Sequence, residues 1–155
     1  MTMTAQRAIP LAAFLVLVVG GGILIGYATA PGLWYAGLIK PAFNPPGWIF
    51  GPVWTILYIF IAIAGWRQWR IAQRGAAMKL WAAQLALNFL WSPLFFEAHR
   101  IDAALVTIVL LLGSILLFVR QTWDRDRSSA LLFLPYAAWV AFASVLNGAI
   151  LYLNI

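Results

Sequence analysis

Charged side chains divide the chain into long apolar tracts. Residues 8–39, 41–66, 80–96, 103–119 and 128–155 contain no Asp, Glu, Lys or Arg, so all fourteen charges fall in the remaining 35 residues. A membrane-crossing helix needs about 20 mostly apolar residues, and each tract supplies one. The two shortest tracts gain a turn because Lys79 and Arg120 reach toward the headgroups. Stretches such as Leu105-Val106-Thr107-Ile108-Val109-Leu110-Leu111-Leu112 do not alternate as a barrel strand must. The pattern predicts an all-α integral membrane bundle of five transmembrane helices, a single domain over 1–155. The helices fall near 9–29, 48–67, 78–97, 102–122 and 129–152, with a loop at 30–47. No fixed-period repeat and no low-complexity tract interrupts them.

Composition narrows the class. Hydrophobic residues make up 65% of the 155 and charged residues 9%, with a mean hydropathy of +0.92, against about 45–50% and about 25% in ordinary globular proteins. Soluble enzymes, nucleic-acid modules and disordered chains are excluded, and the net charge of +6 reflects basic loops rather than a nucleic-acid partner. Arg7, Arg67, Arg70, Arg74, Lys79, Arg120, Arg125 and Arg127 lie on the side shared by the N-terminus and the second and fourth loops; Lys40 and Arg100 lie on the other. The positive-inside rule puts the N-terminus in the cytoplasm and the C-terminus on the opposite side, leaving inner or outer membrane open. Arg7, the apolar run and Ala28-Thr29-Ala30 imitate a cleaved signal peptide. The run from Ile9 to Tyr27 exceeds the usual 7–15 residues and Pro31 would follow the cut, so a retained helix is expected. With no cysteine, there is no disulfide framework, thiolate site or thiol nucleophile.

The first loop is unusual. Five of the eight prolines lie between 31 and 52, with four glycines, which rules out continuous helix. Yet the loop is apolar and aromatic, with Lys40 its only charge. The plainer reading is an interfacial loop anchored by Trp; proline rigidity, aromatic mass and low charge favour a lid over the helix ends.

Polar side chains are costly in lipid and turn inward. The third helix carries Trp81, Gln84, Asn88 and Trp91 on one stripe, and the fifth carries Tyr136, Trp139, Ala143 and Asn147. Trp54, Thr55 and Tyr58 stand on the second helix; the first and fourth have almost nothing of this kind. Singly, such residues read as helix–helix glue. Three helices each presenting Trp or Tyr with an amide or hydroxyl read as a pocket, in which Ala143 leaves room. No charge sits deep in a span, which disfavours ion-coupled transport. His99, the only His, lies in a turn, so no residue offers haem iron an axial ligand and no metal site or Ser–His pair is expected. Glu97 and Asp102 read as residues that end or cap neighbouring helices. Gly22 and Gly26 form a GxxxG, and Ala82 and Ala86 a second small face; either suits close packing or a dimer.

The motif Trp34-Tyr35, then Lys40-Pro41-x-Phe43-Asn44-Pro45-Pro46-x-Trp48-x-Phe50-Gly51-Pro52-Val53-Trp54-Thr55-x-Leu57-Tyr58, resembles the signature of the TspO/MBR (translocator protein, or peripheral-type benzodiazepine receptor) family. The resemblance continues in Gln84-Leu85-Ala86-Leu87-Asn88-x-x-Trp91-x-Pro93-x-Phe95-Phe96 and in Pro135-Tyr136-x-x-Trp139-x-Ala141-x-Ala143-x-x-Leu146-Asn147. It implies a small five-helix membrane protein, a homodimer in bacteria. It also implies binding of tetrapyrroles such as protoporphyrin IX, and in many members of cholesterol or drug-like ligands. The family's pocket positions fall on Trp34, Tyr35, Trp48, Trp54, Tyr58, Asn88, Trp91, Trp139, Ala143 and Asn147. Lys40 would meet a porphyrin propionate. The family's photo-oxidative tryptophans fall on Trp54 and Trp139. The aromatic-then-basic cholesterol motif is missing, since Gly148 follows Asn147 and the chain ends Leu151-Tyr152-Leu153-Asn154-Ile155, which counts against a sterol role. The expectation is a sensor or carrier of metal-free tetrapyrrole, with no tightly bound cofactor. Light-dependent porphyrin degradation and a porphyrin or sterol transporter are the alternatives; transport would draw on kinks at Pro93 and Pro135.

Overall fold

A computed structural model describes residues 3–155, with side chains from Ala8 onward. Helix α1, Met3–Leu15, passes through a π turn, Val16–Gly20, into α2, Gly21–Ala28. Gly20, Gly21 and Gly22 in succession remove side-chain crowding where the backbone widens to that turn. Helix α4, Phe50–Ile71, starts from a tight turn at Gly47–Ile49; α5, Ala76–Ser92, runs on through a second π turn, Pro93–Glu97; α6, Ile101–Thr122, and α7, Arg127–Leu153, complete the bundle. The second π turn has a plain cause. Pro93 has no N–H to give the preceding turn, and the Ala98 N–H closes a wider ring by donating to the Pro93 carbonyl at 2.9 Å. Pro135, by contrast, lies inside an α7 that stays one helix.

Four rods are long and apolar enough to cross a membrane: Ala8–Ala28, Gly47–Ile71, Ile101–Thr122 and Arg127–Leu153. The fifth is α5 with its π turn, shorter before Pro93 and carrying Lys79, Gln84 and Asn88. Together they form an all-helical membrane bundle. Segment 30–47, read as irregular, holds a short helix α3, Leu33–Gly37, opened by the Ala36 N–H donating to the Gly32 carbonyl. It forms in the proline-free interval between Pro31 and Pro41.

Helix α6 packs between α5 and α7, and α4 packs against α7 and α1. Val106, Val109, Leu110, Leu116 and Leu117 remain exposed on α6. They share one face, which is the face a membrane would solvate. The half of the bundle near the α4–α5 and α6–α7 loops is solid, with Ile61, Ala64, Trp81, Ile115, Phe118, Phe133 and Tyr136 buried together. Gly65 makes this possible. Trp81 lies so close to its Cα that a Cβ there would overlap the indole, and the indole N–H donates to the Ile61 carbonyl at 2.8 Å. A buried carboxylate locks the same end: Asp126 accepts from Arg67 Nε and its terminal nitrogen, from Gln68 Nε2 at 2.9 Å and from the Ser129 hydroxyl. The GxxxG of the first rod is split: Gly22 is buried so close to the Tyr58 ring that a Cβ there would overlap it, whereas Gly26 is exposed.

Candidate functional site

The other half of the bundle is hollow. A cavity of about 470 Å³ lies beneath the first loop, within the range of about 300–1,000 Å³ typical of small-molecule sites. Its walls come from α2, the loop, α4, α5 with its π turn, α6 and α7, and among the described residues no Asp, Glu, Lys, Arg or His lines it. Eight of the eleven residues expected from the sequence to bind ligand stand in the wall: Tyr35, Trp54, Tyr58, Asn88, Trp91, Trp139, Ala143 and Asn147. Three do not. Trp34 stacks on His99, ring centres 4.0 Å apart and planes 14° from parallel. Lys40 Nζ donates to the Leu38 carbonyl at 3.0 Å and sits 4.6 Å from the Tyr35 ring centre, so it closes the loop on itself. Trp48 is 75% exposed, at the start of α4.

The first loop does cover the cavity. Tyr35 meets Phe95 and Phe96 edge-on, and Phe43 reaches Phe142. Asn154, at the end of α7, clamps the Ile39 backbone from both sides: its Oδ1 accepts from the Ile39 N–H at 2.9 Å and its Nδ2 donates to the Ile39 carbonyl at 2.8 Å. His99 has φ 53, a left-handed conformation costly for a side-chain-bearing residue. That turn, from the π segment into α6, brings its ring flat against Trp34.

Hydrogen bonds sort the wall's polar groups into spent and available. Trp91 Nε1 donates to Asn147 Oδ1 at 3.0 Å, and Asn147 Nδ2 donates to the Ile101 carbonyl at 3.1 Å. Thr29 Oγ1 donates to the Ile25 carbonyl, so the Ser92 hydroxyl, 2.5 Å away, donates to Thr29. Tyr58 donates to Asn88 Oδ1 at 3.2 Å, Asn88 Nδ2 to the Tyr136 hydroxyl at 2.8 Å, and Tyr136 to Gln84 Oε1 at 2.8 Å. Trp139 Nε1 is buried with no acceptor. Such a donor costs about 1–3 kcal/mol until something bonds it. Trp54 lies 5.4 Å from Tyr58 and 6.3 Å from Tyr136, ring centre to ring centre. Among the described residues the wall therefore offers flat aromatic faces, a few neutral polar groups, one free indole donor on Trp139 and one free amide acceptor, Asn44 Oδ1. That chemistry suits an apolar planar molecule with polar groups on its rim.

Residues without a sequence signal complete the wall. Ile108 and Leu111 of α6 and Ile23 and Ile25 of α2 line it, as apolar residues indistinguishable in sequence from lipid-facing ones. Ile23, Gly26, Gly51 and Thr55 are also exposed, so the cavity's lip between α2 and α4 reaches the bundle's outer surface.

Residues 13–153 match the TspO/MBR family. The chain is 43% identical to the tryptophan-rich protein TspO of Archaeoglobus fulgidus over 123 residues, 78% of this chain and 80% of the relative. It is 37% identical to protein CrtK of Rhodobacter capsulatus over 133 residues, 83% of each. It is 36% identical to the human translocator protein over 119 residues, 74% of this chain and 70% of the relative.

Proposed function

Because the chain belongs to the TspO/MBR family of membrane proteins, we propose that its cavity binds a metal-free tetrapyrrole of the protoporphyrin IX kind and that the protein acts as a sensor or carrier of it. The observation that carries this reading is the wall itself: Trp54, Tyr58, Trp91 and Trp139 surround an uncharged space of about 470 Å³ with aromatic faces on which a macrocycle stacks. The free Trp139 N–H suits a propionate or carbonyl oxygen, and the lack of a His, Cys or Met ligand among the described residues of the wall favours the free base over haem. Other flat drug-like or sterol-like molecules with a rim acceptor fit the same chemistry. The orientation with the N-terminus in the cytoplasm, from the basic loops, puts the cavity on the far side. A homodimer through the exposed Ala82 and Ala86 of α5 is the assembly this reading carries, since Gly22 is already committed to Tyr58.

Titration of the purified protein with protoporphyrin IX tests it. Saturable quenching of tryptophan emission is expected, weakened in Trp139→Ala; quenching that never saturates would refute it. A second reading, light-dependent oxidation of bound porphyrin by dioxygen, is favoured by Trp54 and its contacts with Tyr58 and Tyr136, a run of oxidisable rings leading off the cavity. Illumination of the complex in air distinguishes the two: bilin-like absorption supports oxidation, and unchanged porphyrin leaves binding alone.

A further inference from the structure

The chain Tyr58–Asn88–Tyr136–Gln84 has one end on the cavity and the other deep in the core. Tyr58 and Asn88 line the cavity, whereas Tyr136 and Gln84 do not, and both of the latter are fully buried. Each link joins groups that can both donate and accept: hydroxyl, primary amide, hydroxyl, primary amide. All three bonds run away from the cavity: Tyr58 donates to Asn88 Oδ1, one of the two Asn88 Nδ2 hydrogens goes to Tyr136, and Tyr136 donates to Gln84 Oε1. The Tyr58 hydroxyl, with its hydrogen spent, is then left only as an acceptor.

The same four groups support the opposite direction. Gln84 Nε2 has no partner, so turning that amide exchanges one unpaired group for another. Gln84 Nε2 would donate to Tyr136, Tyr136 to the turned Asn88 Oδ1, and Asn88 Nδ2 to Tyr58. Three bonds exist in either direction, and no heavy atom outside the two amides moves. In the second state Tyr58, a residue of the cavity wall, has its hydrogen free and is a donor. Orphaned N–H groups are rarer than under-satisfied carbonyls in buried sites, so the second state is at least competitive with the first.

We propose that this relay reverses with the ligand, and that Gln84, which touches no ligand, is the positioning residue that keeps both directions open. One cavity then accepts flat apolar molecules bearing a hydrogen-bond donor and those bearing an acceptor, with Tyr58 matching each. The proposal rests on the cavity being a ligand site.

The test uses two tricyclic probes of similar shape, carbazole with its N–H donor and 9-fluorenone with its carbonyl acceptor. Binding is measured as uptake by protein-containing nanodiscs over empty ones. Wild type is expected to bind both; binding of neither would overturn the cavity reading and this proposal with it. Gln84→Met keeps the volume and removes the acceptor. Tyr136 can then satisfy its hydrogen only on Asn88, which fixes Tyr58 as a donor. The ratio of the two affinities is expected to move about fivefold to tenfold toward fluorenone, the value of one net hydrogen bond. Damage to the fold would weaken both probes alike and leave the ratio unmoved, and an unmoved ratio overturns the relay. Wild type labelled with ¹⁵N-glutamine gives a reading that needs no variant: one side-chain amide, buried and remote from the probe, is expected to differ in proton shift between the two complexes. Identical shifts for every glutamine amide would equally overturn it.

Discussion

Replacing Gly65 by alanine isolates the contact on which the solid half of the bundle is built. A Cβ at Gly65 falls within overlap distance of Trp81 Cε2, Cζ2 and Nε1. The indole cannot simply retreat, because it is 3% exposed, packs edge-on against Phe14 at 5.1 Å and donates to the Ile61 carbonyl. Three effects compete. Alanine improves helix propensity by about 1 kcal/mol. Forcing a methyl into a filled core costs about 1–3 kcal/mol, and leaving the indole N–H or the Ile61 carbonyl unpaired costs about 1–3 kcal/mol. The steric and hydrogen-bond losses win, by about 3 kcal/mol. At roughly 2–4 °C per kcal/mol for a chain of this size, the melting temperature in detergent is expected to fall by roughly 6–12 °C, followed by tryptophan emission on heating. Trp81→Phe in the same chain shortens the ring and removes its donor, so the double variant is expected to be less destabilised than the sum of the single ones. A Gly65→Ala protein as stable as wild type, or single effects that simply add, would refute the reasoning.

Trp139→Phe removes a buried donor that lacks an acceptor. It is therefore expected to raise the melting temperature slightly while weakening protoporphyrin IX binding about fivefold to tenfold, two effects of opposite sign in one variant. Asn154→Ala deletes both bonds to the Ile39 backbone, and hydrogen exchange of the Ile39 amide is expected to speed up about tenfold with global stability little changed. Burial raises the Asp126 carboxyl's affinity for its proton, but the bonds from Arg67 and Ser129 outweigh it and hold the group below the ordinary carboxylate range. The stability it supplies is complete above about pH 3.9 and is lost as pH falls through the lowered folded value. Melting temperature is thus expected to be level from neutral pH to about 5 and to drop below about 4, a drop that Asp126→Asn flattens.

The positions of fourteen charges made the five rods legible, because a bilayer penalises charge and so the gaps between charges measure helices. The polar stripes were legible for the same reason. What a stripe does along its length was not. On α5, Asn88 and Trp91 face the cavity, while Trp81 and Gln84, on the same stripe, are buried against Ile61 and Tyr136. Only the neighbouring helix decides between the two fates. The loop aromatics divide likewise. Tyr35 lines the cavity while Trp34, its immediate neighbour, turns to His99, and Trp48 turns outward; α3, which sets the first two directions, and the Gly47–Ile49 turn, which sets the third, are too short to leave a periodic pattern. The glycine contacts were unreadable because Gly22 and Gly65 owe their roles to rings 36 and 16 residues further along the chain, Tyr58 and Trp81. The apolar wall from α6 carries no distinguishing chemistry at all.

The clamp of Asn154 on Ile39 joins the residue just past α7 to the middle of the cover over the cavity. The end of α7 is therefore a handle on the cavity's roof. An affinity tag or fluorescent fusion attached after Ile155 begins one residue from that handle, and its drag or crowding is transmitted to the loop through two hydrogen bonds. Ligand affinities and exchange rates obtained with C-terminally fused protein would report the tag as well as the site. Extensions at the N-terminus, at the opposite end of the first rod, leave the roof untouched.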